Sequence, residues 1–415
     1  MSLIRPFPAL RPAPGRAPEV IAPPYDVLNT VEARALAEGR PWSFLHISKP
    51  EIDLPPDTDP YAPEVYAKGA ENLQRMIAAG VLKQDAQPCY YAYRLIMGEQ
   101  VQVGLVAAAN VADYDTNRIR KHEFTRPDKE DDRVRQIEAL NAQTGPVLLA
   151  YPQQSEVDGI LAVATQSTPE ADGVAESGVR HTLWAIRDAG TLARLTELFD
   201  AMPALYIADG HHRSASASRI CASRRAAALA NNANHGGEEA YNYFLSVIFP
   251  HHQMRILDYN RVIKDMNGLS EPEFMARVAE SFMIEMADTA VKPAHTGEFG
   301  LYLNGCWNKL TIRPDLIPHD PVGRLDVSLL QNNLIAPILG ITDPRRDKRI
   351  DFVGGIRGLG ELEKRVDSGE MALALALHPT SMEDLMAVAD ANEVMPPKST
   401  WFEPKLADGL ASHCL

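Results

Sequence analysis

Two polar segments of this sequence contain residue types suited to binding and transferring phosphate. The first is Asp209-Gly-His-His-Arg213, which follows a short apolar run. A glycine lets the backbone approach a ligand closely, and the first turn of a helix presents N–H groups without intrahelical partners. Arg213 can bind an anion through two parallel hydrogen bonds. The pattern indicates a phosphate site at residues 210–213. The alternative is an ordinary helix start, in which Asp209 is the cap and Arg213 pairs with a carboxylate.

The second segment, Ile119–Arg133, is unusually dense in charge, with eleven of its fifteen residues charged or His. One interpretation is a solvated loop that leads into a helix from about Asp128 to Asn141. The other is a catalytic loop that holds both an anion and a metal ion. The candidates for its roles are Glu123 as general base, Lys121 and Arg133 as phosphate contacts, and Asp132 as magnesium ligand. His122, Asp209 and His212 complete the set of catalytic candidates.

Regular elements must position these segments. Leu205–Ala208 is apolar and predicts a buried strand, and the Ala- and Ser-rich stretch from His211 onward predicts a helix of several turns. Hydrophobic periodicity and turn residues predict four further elements. These are a strand at Trp42–Ser48, an amphipathic helix at Glu64–Ala79, a hairpin turning at Gly98-Glu99 and a second hairpin turning at Asn304-Gly305.

Two proline-rich segments are further candidates for the site. Ala22-Pro-Pro-Tyr-Asp26 is a rigid turn that either presents Tyr25 and Asp26 to a pocket or fills the core with Tyr25. In Met395-Pro-Pro-Lys-Ser-Thr400, the side chains of Lys398, Ser399 and Thr400 suit a phosphate or a substrate carboxylate. The alternative is a C-terminal strap packed by the aromatic residues that follow it.

Composition limits the class of protein. A chain of 415 residues predicts two or three domains, and its net charge of −14 argues against broad nucleic-acid binding. The four cysteines are far apart, which fits reduced thiols in a cytoplasm. No apolar run reaches about 18 residues, so no membrane span is expected. The pairs His211-His212 and His251-His252 raise one further function, a His-based metallohydrolase, although adjacent residues seldom supply two metal ligands.

The motifs together resemble one family. The chain is identified as a member of the domain-of-unknown-function 1015 family by motifs in the family's order and spacing. They are Arg5–Leu10, Ala22–Asp26, Lys121–Thr125, Lys129 with Asp132-Arg133, Asp209–Arg213 and Met395–Thr400. The Asp209–Arg213 turn also resembles that of the free serine kinases built on the ParB/sulfiredoxin fold. The resemblance implies an α/β (α+β) fold, with a ParB/sulfiredoxin-like domain over residues 1–255 and a second α/β domain over 256–415.

The resemblance also implies a function. It implies a magnesium-dependent phosphotransferase that acts on serine or phosphoserine with ATP or ADP, linked to serine metabolism. Phosphate binding is carried over to Gly210, His211, His212 and Arg213. A glutamate outside the turn acts as base in the serine kinases, and here Glu123 is the first candidate and Glu51 the second. The alternative is a ParB-like, nucleotide-binding regulatory protein, or a DNA-associated switch without turnover.

Overall fold

The structure, a computed structural model, describes residues 2–230 and 236–415 and has a mixed α/β fold, which confirms the fold class. The chain divides into two compact units. One comprises Met1–Met254 together with Pro404–Leu415, and the other comprises Arg255–Glu403. The last twelve residues thus belong to the first unit, a return of the chain that the sequence-based division did not include. No helix of the described residues is long and apolar enough to cross a membrane.

The elements are numbered in chain order. The strands are β1 (Ile4–Arg5), β2 (Leu10–Pro12), β3 (Leu82–Gln84), β4 (Tyr90–Met97), β5 (Gln100–Asn110), β6 (Ile119–Arg120), β7 (Ala142–Gln143), β8 (Val147–Tyr151), β9 (Ala171–Val174), β10 (Arg180–Ile186), β11 (Leu205–Asp209), β12 (Tyr243–Pro250), β13 (Arg255–Leu257), β14 (Tyr259–Ile263), β15 (Phe282–Ala287), β16 (Glu298–Leu303), β17 (Cys306–Ile312), β18 (Ile350–Gly354), β19 (Leu373–Leu377), β20 (Trp401–Glu403) and β21 (His413–Cys414). The helices are α1 (Ala17–Val20), α2 (Thr30–Ala37), α3 (Leu45–Ser48), α4 (Pro63–Ala78), α5 (Val111–Asp115), α6 (Pro127–Leu140), α7 (Ser155–Ala164), α8 (Ala189–Asp200), α9 (His211–Ala230), α10 (Glu271–Ser281), α11 (Asp326–Leu330), α12 (Leu359–Asp367) and α13 (Met382–Asp390).

The first unit is built on a mixed sheet with the strand order β6-β11-β8-β12-β5-β4-β10-β9, and β1 pairs with β5. β11 runs antiparallel to β8, whereas β12 runs parallel to β8. β8 is buried along its whole length, as expected for a strand inside a sheet that is covered on both faces. The neighbouring strands β6 and β8 therefore fix the position of β11, and with it the position of the Asp209–Arg213 turn.

Helices α4 and α6 pack against each other in this unit, and α6 also packs against α9. The helix predicted at Glu64–Ala79 and the hairpin predicted at Gly98-Glu99 are both confirmed. The strand predicted at Trp42–Ser48 is wrong, because residues 45–48 form α3. Leu45 and Ile47 are buried in a cluster with Leu73 of α4. Packing against that helix therefore determines the conformation of residues 45–48, because their alternation of apolar and polar residues is too short to distinguish a strand from a helix.

The second unit has its own antiparallel sheet, in the order β15-β17-β16-β19-β14-β18. The hairpin predicted at Asn304-Gly305 is confirmed. Both turn residues have positive φ, 48° and 77°, as a two-residue hairpin turn requires. The short pair β13 and β20 holds the two ends of this unit together.

Candidate phosphate-binding site

The Asp209–Arg213 segment has the predicted strand–turn–helix geometry. Gly210 joins β11 to α9 with φ +101°, where a side chain is strained, and a Cβ there would lie 3.3 Å from Val147 Cα. The N–H groups of Arg213 and Ser214 donate to the Gly210 carbonyl at 2.9 and 3.0 Å, which begins the intrahelical ladder. The N–H groups of His211 and His212 precede that ladder, so they lie at the open end of a 20-residue helix.

The Arg213 side chain is packed inside the first unit and is only 10% exposed. Nη1 donates to the Pro146 carbonyl, and Nη2 lies 3.5 Å from Asp26 and 3.7 Å from Asp209. Burial alone would lower the pKa of Arg213, but the surrounding carboxylates outweigh it and raise the pKa. Arg213 is therefore a fixed cation whose carboxylate partners are both more than 3.3 Å away.

Asp209 is held as an anion at the same place. Burial alone would raise its pKa, but Lys405 and Arg213 outweigh burial and hold the pKa of Asp209 below its ordinary range. Lys405 Nζ lies 3.4 Å from Asp209 Oδ2, and it comes from the last residues of the chain. Its contact with Asp209 spans 196 positions of the chain, so local sequence patterns do not predict it.

The two adjacent histidines attach the loop that follows β6 to the start of α9. The N–H of His122 donates to His211 Nε2 at 3.4 Å, and the N–H of Arg126 donates to His212 Nε2 at 3.1 Å. Burial lowers the pKa of both His211 and His212, so both rings stay neutral and able to accept these bonds. These two bonds bring the loop and the start of the helix together.

Glu123 lies at this junction and Lys121 points to another neighbour. The Glu123 carboxylate is 54% exposed, and its Oε2 lies 3.7 Å from His211 Nδ1. Lys121 Nζ lies 3.9 Å from the centre of the Tyr114 ring, and burial lowers its pKa. A cation–π contact of this kind occupies the ammonium group, so the structure supports Glu123 at the turn more than it supports Lys121.

Asp132 and Arg133, the other candidates from the charged segment, form an ion pair on α6. Asp132 Oδ1 accepts from the Tyr66 hydroxyl at 2.9 Å, and Oδ2 accepts from Arg133 at 2.6 Å. The Arg133 guanidinium also lies 3.8 Å from the centre of the Tyr25 ring. Both oxygens of Asp132 therefore already have protein partners, and its role as a magnesium ligand stays a prediction.

A cavity of about 470 Å³, a volume that includes space open to solvent, adjoins the turn. Its polar lining groups come from distant parts of the first unit: Tyr25, Ser48, Arg133, Gln136, Gln143, Thr144, Arg213 and Asp408. A smaller cleft beside it is lined by Asp209, Lys405, Arg213 and Asp408 among others. Arg213 and Asp408 therefore face both spaces.

Asp408 is the site residue that sequence reasoning missed. It is 2% exposed, and burial raises its pKa to about 7, against the opposing effect of Arg213. Its backbone pairs with Ala22, next to the Pro-Pro-Tyr-Asp turn, through bonds of 2.9 and 3.2 Å. The C-terminal segment and the turn that carries Tyr25 and Asp26 thus line the cavity together.

The remaining candidates are Glu51, the loop with Lys398, Ser399 and Thr400, and the pair His251-His252. Glu51 is 5% exposed, and its Oε1 lies 2.9 Å from Lys49 Nζ, so this second candidate base is held in an ion pair. The loop with Lys398, Ser399 and Thr400 belongs to the second unit. There Arg261 donates to the Lys398 carbonyl at 3.1 Å, and the Ser399 hydroxyl donates to the Pro396 carbonyl at 2.6 Å. His251 and His252 form a short turn after β12, with ring centres 5.9 Å apart.

The chain belongs to the family described as "Protein of unknown function (DUF1015)", whose model matches residues 4–328. The motif at residues 395–400 lies outside the matched range. No curated protein gives a significant sequence match.

Three solved structures illustrate the distant likenesses of the fold. A conserved hypothetical protein from Pyrococcus furiosus is 15% identical, with a TM-score of 0.36, over 74% of this chain and 94% of that one. A free serine kinase in complex with AMP is 13% identical, with a TM-score of 0.35, over 72% and 86%. SbnI with a C-terminal truncation, from Staphylococcus aureus, is 10% identical, with a TM-score of 0.36, over 73% and 85%.

Proposed function

We propose that this protein is a phosphotransferase that moves a phosphoryl group between a nucleotide, ATP or ADP, and a small hydroxy amino acid. Serine or phosphoserine is the substrate that the resemblance of the Asp209–Arg213 turn to the free serine kinases favours. One observation carries the proposal. Arg213 lies at the open end of α9 and also lines a cavity together with other charged and polar side chains.

The nucleotide side of the proposed site is the start of α9. The N–H groups of His211 and His212, together with the positive end of the helix dipole, favour a phosphate group there. Arg213 adds a permanent positive charge that can stabilise the negative charge developing during transfer. Magnesium is expected to arrive with the nucleotide, because it commonly binds phosphate oxygens and needs few protein ligands.

The cavity supplies the chemistry that a zwitterionic amino acid needs. Arg133 and Arg213 are suited to its carboxylate, and Asp408 is suited to its ammonium group. The hydroxyl of Ser48 and the side chains of Gln136 and Thr144 provide further hydrogen bonds. The lining therefore combines two guanidinium groups with the carboxyl group of Asp408, whose pKa of about 7 leaves it partly ionised at neutral pH.

Two carboxylates stand close enough to the turn to receive the proton of an acceptor hydroxyl. Glu123 lies 3.7 Å from His211, and Asp26 lies 3.5 Å from Arg213. Glu51 is paired with Lys49 and is the weaker candidate. Catalysis by such a site would rest mainly on positioning and electrostatic stabilisation.

Phosphorus NMR tests the proposal directly. The full chain would be mixed with magnesium, L-serine and ATP or ADP, and separately with phosphoserine and ADP. We expect phosphoserine to form or disappear, and Arg213→Ala to abolish the change. Arg219→Ala is the matched control, since Arg219 lies on the same helix and pairs with Glu130 and Asp131.

Glu123→Gln and Asp26→Asn separate the two candidate bases in the same assay. Arg213-dependent nucleotide binding without turnover would contradict the phosphotransferase and favour the regulatory alternative. Neither binding nor turnover would mean that the Asp209–Arg213 turn is only the start of a helix.

A further inference from the structure

A second constellation of side chains lies on the His211 side of the turn, formed by His122, Glu123 and His211. Among the described residues, each of these three offers a ligand atom, and the three atoms lie within 4.8 Å of one another. The two imidazoles are buried, whereas the carboxylate is exposed.

His122 shows the arrangement that orients a metal ligand. Its side chain is 2% exposed, and its Nδ1 is buried without a hydrogen-bond partner. The ring also bonds to the backbone carbonyl of Ile207, and since Nδ1 has no partner, Nε2 is the nitrogen that donates. Metal-ligating histidines commonly donate their second ring N–H to a carbonyl in this way, which fixes the tautomer and leaves the other nitrogen as a ligand. Buried polar atoms rarely lack a hydrogen-bond partner, and a bound metal ion would account for the unpaired Nδ1 of His122.

The spacing of the other two groups fits ligands on one ion. His211 Nδ1 and Glu123 Oε2 are 3.7 Å apart, which is too long for a hydrogen bond. Two ligands that are each about 2.1 Å from a tetrahedral ion are separated by about 3.4 Å. A small adjustment of the exposed Glu123 side chain would bring the pair to that separation. Metal binding through His211 Nδ1 puts the ring proton on Nε2, so the His122 N–H contact to that nitrogen, which is long at 3.4 Å, would have to open.

We propose that His122, Glu123 and His211 bind a divalent transition-metal ion, with Zn²⁺ as the best match and one coordination position left for water or a ligand oxygen. Two imidazoles and one carboxylate suit zinc and its first-row neighbours, whereas magnesium prefers oxygen ligands throughout. The exposure of Glu123 keeps the remaining position accessible. This inference goes beyond the proposed function, because it does not require phosphoryl transfer. A Glu123 carboxylate bound to a metal is a poor proton acceptor, so Asp26 would then be the base.

Metal titration of the full chain, after removal of bound metal with a chelator, tests the site. Zn²⁺ would be followed by calorimetry and Co²⁺ by its visible absorption. We expect one ion per chain, and at least a tenfold loss of affinity in Glu123→Gln and in His122→Asn. Glu138→Gln, an exposed carboxylate on α6, and His252→Asn, in the other histidine pair, are matched controls that should bind like the unmodified protein.

The outcomes separate this inference from the proposed function. Absence of stoichiometric binding would overturn the metal site, as would equal affinity in Glu123→Gln; circular dichroism would verify that each variant is folded. A loss in His252→Asn alone would move the site to the other pair and would also overturn it. ADP binding by the metal-free protein, dependent on Arg213, would uphold the phosphate site whatever the metal result.

Discussion

Replacing Asp408 by Asn should make the first unit more stable than in the unmodified protein, and this gain in stability should be larger at neutral pH than at acidic pH. Burial raises the pKa of Asp408 from an ordinary 3.8 to about 7, and Arg213 only partly opposes the effect. The folded protein therefore holds a proton that the unfolded chain has already lost between pH 4 and 7. The stability contributed by that proton is full below about pH 4 and is lost as the pH rises through 7.

The size of the effect follows from the difference between the two pKa values. At 1.36 kcal/mol per pH unit, a change from 3.8 to about 7 corresponds to about 4 kcal/mol as an upper limit. Asn resembles the protonated carboxyl group in shape but cannot ionise. The two proteins should thus be similar near pH 4, and the advantage of Asp408→Asn should grow with pH and level off above about 7.

Hydrogen–deuterium exchange of peptides from β8 and β11 is the appropriate assay, because it reports on the first of the two compact units alone. Comparison of the two proteins at the same pH removes the intrinsic pH dependence of exchange. Equal relative stability at pH 5 and pH 8 would refute the raised pKa. A variant that lost stability as the pH rose would show that Asp408 is a paired anion instead.

Three further changes test the site. Gly210→Ala should cost about 1–3 kcal/mol in urea unfolding, because φ is +101° and the new Cβ would lie 3.3 Å from Val147 Cα; a neutral effect would contradict the geometry. Arg213→Met should destabilise the first unit by up to about 3–5 kcal/mol, and more at pH 8 than at pH 5, because it removes the buried cation that opposes the ionised form of Asp408; a pH-independent loss would argue against that interaction. Lys405→Met should raise the pKa of Asp209 in a carbon-13 NMR titration, since Lys405 is the first of the groups that lower it; an unchanged pKa would remove Lys405 from the site.

The local parts of this site could be predicted from the sequence, since their signals are local. An apolar run, a glycine and a helix-forming stretch are adjacent in the chain, and β11, Gly210 and α9 follow that pattern. The helix predicted from about Asp128 to Asn141 is likewise confirmed as α6, and Asn141 ends it in the left-handed conformation, with φ 48°. Periodicity and turn residues were sufficient in both cases.

The groups that complete the site could not be predicted, because tertiary structure alone brings them there. Lys405 and Asp408 belong to a C-terminal segment that returns to the first unit after an intervening unit of about 150 residues. Lys405 follows the Met395–Thr400 motif by five residues and Asp408 stands in no motif, and the partners of both are nearly 200 positions away or more. The sequence also does not show that Asp132 bonds to Tyr66 or that Lys121 lies over Tyr114, and these contacts decide whether a charged side chain is available for a ligand.

The measurement that most directly tests the central claim is the affinity for ADP of the full chain and of two arginine variants, by calorimetry in the presence of magnesium. If the start of α9 holds a nucleotide phosphate, Arg213→Lys should weaken ADP binding by at least tenfold, because an ammonium group cannot reproduce a two-bonded guanidinium contact. Arg219→Lys should leave the affinity unchanged, because Arg219 lies further along α9 and pairs with Glu130 and Asp131. Equal affinities in all three proteins, or no ADP binding by the unmodified chain, would contradict the account.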